Sequence, residues 1–208
     1  MKTLILSSLN KIFKDTEPNF KEFTGYSALK NERFSFQVAF MAESKEETEI
    51  NVSVSSPISK YLKLYFVENI PAGRNGYENS DSFHYDLNRK EFPDLLKPID
   101  GNIKVKKGLW YSVWVELCPQ SEFTGNKKIT ISLKTKINET KKVFALNIIE
   151  DTLPEQQLLF TNWFHNDCLC TYYGVEVFSD EYWRIVKNYI KNAVDHGVTM
   201  LLTPVFTP

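Results

Sequence analysis

Cysteine is scarce: Cys118, Cys168 and Cys170 are the three in 208 residues. An odd set with two members one residue apart excludes a disulfide framework and points to a reducing compartment, with the cytoplasm as the expected location. An excess of either charge is missing as well. The 25 Lys and Arg against 26 Asp and Glu leave a formal net charge of −1, so no global field favours nucleic acid or an anionic membrane. No apolar run approaches the roughly 20 residues that cross a bilayer. The opening Met1-Lys2-Thr3-Leu4-Ile5-Leu6-Ser7-Ser8-Leu9 has an apolar stretch too short for a signal peptide and reads as a first strand. Neither nucleic acid nor membrane is an expected partner. What is present in quantity is core material, 42% apolar residues and 14% aromatic ones.

From the start to about residue 150 the apolar period is two. Phe34, Phe36, Val38 and Phe40 alternate with Ser35, Gln37 and Ala39, and Ile50, Val52 and Val54 with Asn51 and Ser53. Leu62, Leu64 and Phe66, then Val113, Val115 and Leu117, then Ile129, Ile131 and Leu133, repeat the rhythm. Such alternation marks half-buried strands. Lys141 to Ile149 carries apolar residues on both faces, which suits a more deeply buried strand. About eight strands separated by turns such as Thr124-Gly125-Asn126 imply a mainly β fold, a two-sheet antiparallel β-sandwich. Between Glu68 and Asn102 the pattern fails among Pro71, Gly73, Pro93, Pro98 and Gly101. A connection that long is expected to pack on another domain, with ligand contact or disorder as the alternatives.

The period changes after Pro154, with Asp151-Thr152-Leu153-Pro154 as linker, so the expected domains are 1–150 and 151–208. Leu158 to Phe164 reads as a short apolar strand. Ser179 caps a helix whose apolar stripe is Tyr182, Ile185, Val186, Tyr189, Ile190, Ala193 and Val194. His196-Gly197 ends that helix, and a last strand runs from Gly197 to Pro208. A strand–helix–strand unit makes a crossover between parallel strands, and such sheets need cover on both faces. Two strands and one helix cannot supply it. The chain therefore belongs to a larger α/β protein or must find a partner, and the expectation is a homo-oligomer built through residues 155–208.

Local clusters assign no catalytic residue, metal or cofactor. Asp180-Glu181 is an adjacent acidic pair, but it falls in the first turn of a helix, where the dipole accounts for carboxylates. His165-Asn166-Asp167-Cys168-Leu169-Cys170 gathers imidazole, carboxylate and two thiols, yet no second cluster completes a tetrahedral metal set. Cys168 with His165 or His196 is an equally weak nucleophile–base pair.

The run Trp163-Phe164-His165-Asn166-Asp167-Cys168-Leu169, then Tyr172 to Ser179, then Leu202-Thr203-Pro204-Val205-Phe206-Thr207-Pro208, resembles the opening of the barrel in glycoside hydrolase family 123-like proteins. These proteins also carry a C-terminal region known as domain of unknown function 4091. Glu32-Arg33-Phe34-Ser35-Phe36-Gln37-Val38 resembles the family's early sandwich strand, and Phe92 to Leu96 and Trp110 to Val115 its later signposts. The resemblance implies that residues 151–208 are the first β-α-β unit of an incomplete (β/α)8 barrel. It also implies an N-acetylhexosaminidase-like, substrate-assisted retaining mechanism. Its Asp-Glu pair belongs to a later barrel strand and is absent here, so this chain is itself expected to be inactive.

Barrel active sites form at the carboxyl ends of the strands. Trp163, His165 and Asp167 follow the first strand, and Thr203 and Phe206 the second. An indole can stack on a sugar while imidazole and carboxylate bond hydroxyls, so these five are the candidate contacts for an amino sugar or glycan. The plainer reading is that Trp163 is barrel core and that His165 and Asp167 tie down a loop. Tyr172 and Tyr173 fit either a pocket rim or loop packing. The alternative function is a standalone carbohydrate-binding or scaffolding β-sandwich module.

Overall fold

The alternating segments of the N-terminal half become strands of two five-stranded sheets in a computed structural model, which describes residues 1–43, 47–72 and 89–204. The strands are β1 (Lys2–Ser7), β2 (Gly25–Lys30), β3 (Phe34–Met41), β4 (Glu47–Ser55), β5 (Leu62–Pro71), β6 (Glu91–Pro98), β7 (Asn102–Lys106), β8 (Trp110–Leu117), β9 (Gly125–Lys134) and β10 (Glu139–Thr152). One sheet has the order β1-β3-β8-β5-β6 and the other β2-β10-β9-β4-β7. Phe36, Val38 and Phe40 of the first sheet and Ile129, Ile131 and Phe144 of the second are buried in one continuous core. The rings of Phe36 and Phe144 stack with centroids 4.1 Å apart and planes 8° apart, so the apolar faces of the two sheets meet.

Three strands escape the period-two reading, and each does so for a physical reason. In β2 only Ala28 is buried, so alternation has nothing to report. β6 carries Pro93 and Pro98 and lies at a sheet edge, where a missing N–H is tolerated. β7 is a five-residue edge strand. The segment 68–102 is thus partly strand, and its residues 73–88 lie outside the described residues.

The expectation of purely antiparallel sheets is corrected at one edge. β2 runs parallel to β10, with Gly25 opposite Ala145 and Ala28 opposite Ile148. Parallel neighbours cannot be joined by a hairpin, and the chain between β2 and β10 runs through residues 31–138, which carry strands of both sheets. Gly25 has a steric role here, because a Cβ at this position would lie 3.0 Å from the Ala145 carbonyl oxygen.

β10 also corrects the expectation of burial on both faces. Phe144, Leu146 and Ile148 are buried, whereas Val143 and Ile149 on its other face are exposed. Asp151 and Thr152 are not linker but the end of β10, with Thr152 opposite Lys30.

The chain separates into two compact units, Met1–Leu153 and Pro154–Pro208. The second contains β11 (Thr161–Trp163), α1 (Cys168–Tyr173), α2 (Asp180–Asp195) and β12 (Met200–Leu202). β11 and β12 pair in parallel, Thr161 opposite Met200 and Trp163 opposite Leu202. Both strands are three residues long, shorter than the apolar runs suggest. Ser179 caps α2 by accepting the Tyr182 N–H on its hydroxyl at 3.2 Å. Gly197 at φ +88° takes the left-handed position after the helix end. Leu169, Cys170, Tyr182, Ile185 and Val186 form the small core, flanked by Phe164 and Val175. The distal stripe of α2 stays exposed, Val194 at 60%, because α1 covers only its first turns. Among the described residues no helix is long and apolar enough to cross a membrane.

Candidate functional site

The site grows from the parallel pair. After Trp163 the Phe164 N–H donates to the Leu202 carbonyl at 2.9 Å, which carries the pairing one residue beyond β11 and brings the two strand ends together. The Thr203 hydroxyl then donates to the Asn166 carboxamide oxygen at 3.4 Å. Trp163 is 70% exposed, and its indole lies 6.0 Å from the His165 imidazole with planes 25° apart. These stacked rings form an exposed aromatic surface at the carboxyl ends of the strands.

Asp167 behaves differently from its neighbours. It occupies the N-cap position of α1 without making a side-chain cap bond, and its backbone carbonyl accepts the Cys170 N–H at 3.0 Å. Its Oδ1 is buried and has no hydrogen-bond partner among the described residues. Burial first, then the nearby Cys170 thiol and the Asp167 carboxylate, push the Tyr182 hydroxyl above its usual pKa. One carboxylate oxygen of Asp167 is thus buried, while Trp163 and His165 stay at the surface.

The structure therefore gathers Trp163, His165 and Thr203 at one end of the strand pair, with Asp167 at the start of α1. Phe206 lies outside the described residues. Asn166, which bridges to Thr203, is a site residue that the sequence offered only as part of the run 163–169. Its side-chain bond to a residue 37 positions away has no local signature.

The Cys168 thiol donates to the His165 carbonyl at 2.9 Å, which holds the turn into α1. Among the described residues no group of three or more His, Cys, Asp or Glu side chains could hold a metal ion. Glu181 accepts two bonds from the Arg184 guanidinium, at 2.8 and 2.5 Å, which holds its carboxyl below the usual range. A carboxylate held ionised in this way is a poor general acid. The hydroxyls of Tyr173 at the end of α1 and Tyr189 of α2 lie 3.0 Å apart beside a groove of about 200 Å³. That bond, followed by burial, pushes Tyr189 up to about 12.

Residues 163–208 match the family model described as Glycoside hydrolase 123, catalytic domain. Among curated proteins none matches. A family 123 glycoside hydrolase from Clostridium perfringens, solved for its hydrolysis of glycolipid glycans, has a similar fold, with a TM-score of 0.78 over 96% of this chain at 13% identity. The N-terminal domain of PorA overlaps more loosely, with a TM-score of 0.36 at 8% identity over 72% of this chain and 99% of that one. This chain spans 37% of the length of the Clostridium perfringens enzyme. Residues 163–208, in the unit that gathers Trp163, His165 and Thr203, are thus similar to the start of the catalytic domain of family 123 glycoside hydrolases.

Proposed function

We propose that the chain serves as the N-terminal portion of a carbohydrate-active glycoside hydrolase, with a β-sandwich in residues 1–153 leading into the first β-α-β unit of a (β/α)8 barrel. The observation that carries this reading is the catalytic-domain match over 163–208, which coincides with a parallel strand pair whose carboxyl ends bear Trp163, His165 and Thr203. The substrate class is a glycan with an amino sugar, cleaved by the substrate-assisted retaining route. Trp163 supplies the stacking surface, His165 and Thr203 bond hydroxyls, and Asp167 joins the subsite through its place after β11, with one carboxylate oxygen buried. Phe206 joins this set by its position after β12. The acid that protonates the leaving oxygen is not in this chain, which binds without turnover. Its free thiols suit a reducing compartment, the cytoplasm. The exposed apolar residues of 155–208 recruit a second copy.

The test compares this chain with one extended to the length of the Clostridium perfringens enzyme, on chromogenic N-acetylhexosaminides. The extended protein turns over, and the 208-residue chain stays at the blank. Turnover by the short chain that vanishes in Glu181→Gln overturns the assignment.

A further inference from the structure

A cavity of about 210 Å³ lies far from Trp163 in sequence, on the first sheet. Its floor follows from register. Gln37 of β3 and Tyr65 of β5 both stand opposite Trp114 of the central strand β8, so their side chains share one face with the indole. One wall is the turn 8–12. Gln37, 3% exposed, holds this turn by donating Nε2 to the Ser7 carbonyl at 2.9 Å and to the Asn10 carbonyl at 2.6 Å. The opposite wall is β6. There Glu68 pairs with Leu95 and Asn69 with Pro93, which leaves Asp94 without a partner in a β-bulge. Bulges re-aim side chains, and Asp94 lines the cavity. Lys11 spans the walls, donating to the Pro93 carbonyl at 3.2 Å and lying 3.9 Å from the Asp94 carboxylate.

We infer that this cavity is a second carbohydrate-binding site, taking one neutral pyranose ring on Trp114 within the grip of Asn10, Lys11, Gln37 and Asp94. The volume is below the ~300–1,000 Å³ of drug-sized pockets, so a single ring fits. The rim holds an acceptor in Asp94, a donor in Lys11, both kinds in the Asn10 carboxamide, and an acceptor in the Gln37 carboxamide oxygen, whose nitrogen is already engaged by the Ser7 and Asn10 carbonyls. A hydroxyl donates and accepts at once and matches that mixture. An anion meets the Asp94 charge and a cation the Lys11 charge. The Lys11–Asp94 pair is exposed and contributes little to stability, so a ligand can replace it at low cost. The buried amide that pins the turn keeps the wall formed before the ligand arrives. The inference rests on the carbohydrate reading above for its ligand class, and it places an additional site in the first unit.

Nuclear magnetic resonance titration of the full 208-residue chain tests it, using N-acetylgalactosamine and methyl β-galactopyranoside, with sorbitol as an open-chain control. The sugars shift the Trp114 indole N–H and the Asn10 and Gln37 carboxamide signals, and sorbitol does not. Trp114→Ala weakens binding by about tenfold or more. Asp94→Ala, at an exposed bulge where folding is not at stake, weakens it by about threefold. Silence of all these signals up to on the order of 100 mM sugar overturns the site, as does an equal response to sorbitol or binding unchanged in Asp94→Ala. Shifts confined to Trp163, His165 and Thr203 also overturn it while leaving the hydrolase reading intact. Failure of the extended chain to hydrolyse substrate overturns that reading alone.

Discussion

The guanidinium of Arg33 lies on the buried carboxylate of Glu116, a pairing set by sheet register. Ser35 stands directly opposite Glu116, and Arg33, two residues along the same face, reaches it on the diagonal. The Glu116 side chain is 6% exposed and that of Arg33 25%. Removing one partner of a buried pair strands a charge, so Arg33→Met alone is expected to cost about 3 kcal/mol. The double change Arg33→Met with Glu116→Gln removes both charges and recovers most of that loss. Urea melts of the four proteins in the cycle provide the comparison, and additive single losses count against the pair.

The Tyr173–Tyr189 pair gives a pH signature. Tyr189 titrates at about 12, against about 10 for an ordinary tyrosine, because the Tyr173 hydroxyl bonds its protonated form. A raised pKa means that the associated stability is complete below pH 10 and is lost as pH rises through about 12. In an ultraviolet titration at alkaline pH, Tyr173→Phe brings one tyrosine transition back toward the ordinary value. A titration curve identical to that of the parent excludes the bond.

What was legible in the sequence depends on how far apart the cooperating residues lie. Phe36, Val38 and Phe40 announce a strand because each is buried on the same face, and the helix over Asp180–Asp195 announces itself through Tyr182, Ile185 and Val186. β6 is hidden because Pro93 and Pro98 are marks of loops unless an edge position is known. Trp163, His165 and Asp167 are legible as neighbours by spacing alone. The buried oxygen of Asp167 is not, since α1 is too short for a helical period to register. The cavity over Trp114 has no sequence signal at all. It depends on Asn10, Gln37 and Asp94, brought together by strand order rather than proximity along the chain.

The end of β10 predicts where the chain can be cut. The Leu153 N–H donates to the Lys30 carbonyl at 2.9 Å, and Thr152 stands opposite Lys30. Residues 1–153 are expected to melt in one cooperative transition. Ending the chain at Glu150 removes this clasp on the edge strand β2, and at about 1 kcal/mol per lost bond the midpoint drops by roughly 2–4 °C or more. Calorimetry on the two shortened chains decides it. A 1–153 chain without a transition shows that the first unit does not stand alone.

Self-association should separate the two units. Leu158 and Leu159 are each 72% exposed, and Phe160, Trp163, Met200 and Leu202 are also exposed on or beside the parallel pair β11 and β12. A two-stranded sheet has an unpaired edge on each side and is marginal by itself in water. Apolar surface of this kind is a site for association. The 208-residue chain is therefore expected to form a dimer or larger assembly through residues 155–208, whereas residues 1–153 remain monomeric. Light scattering at about 50 µM, a concentration where contacts of 1,200–2,000 Å² are populated, reads both. Charged substitutions at Leu159 and Met200 shift the assembly toward monomer without changing the melting of residues 1–153. If the full chain is monomeric at that concentration with α2 ordered by circular dichroism, the second unit covers its own apolar face and the association is excluded.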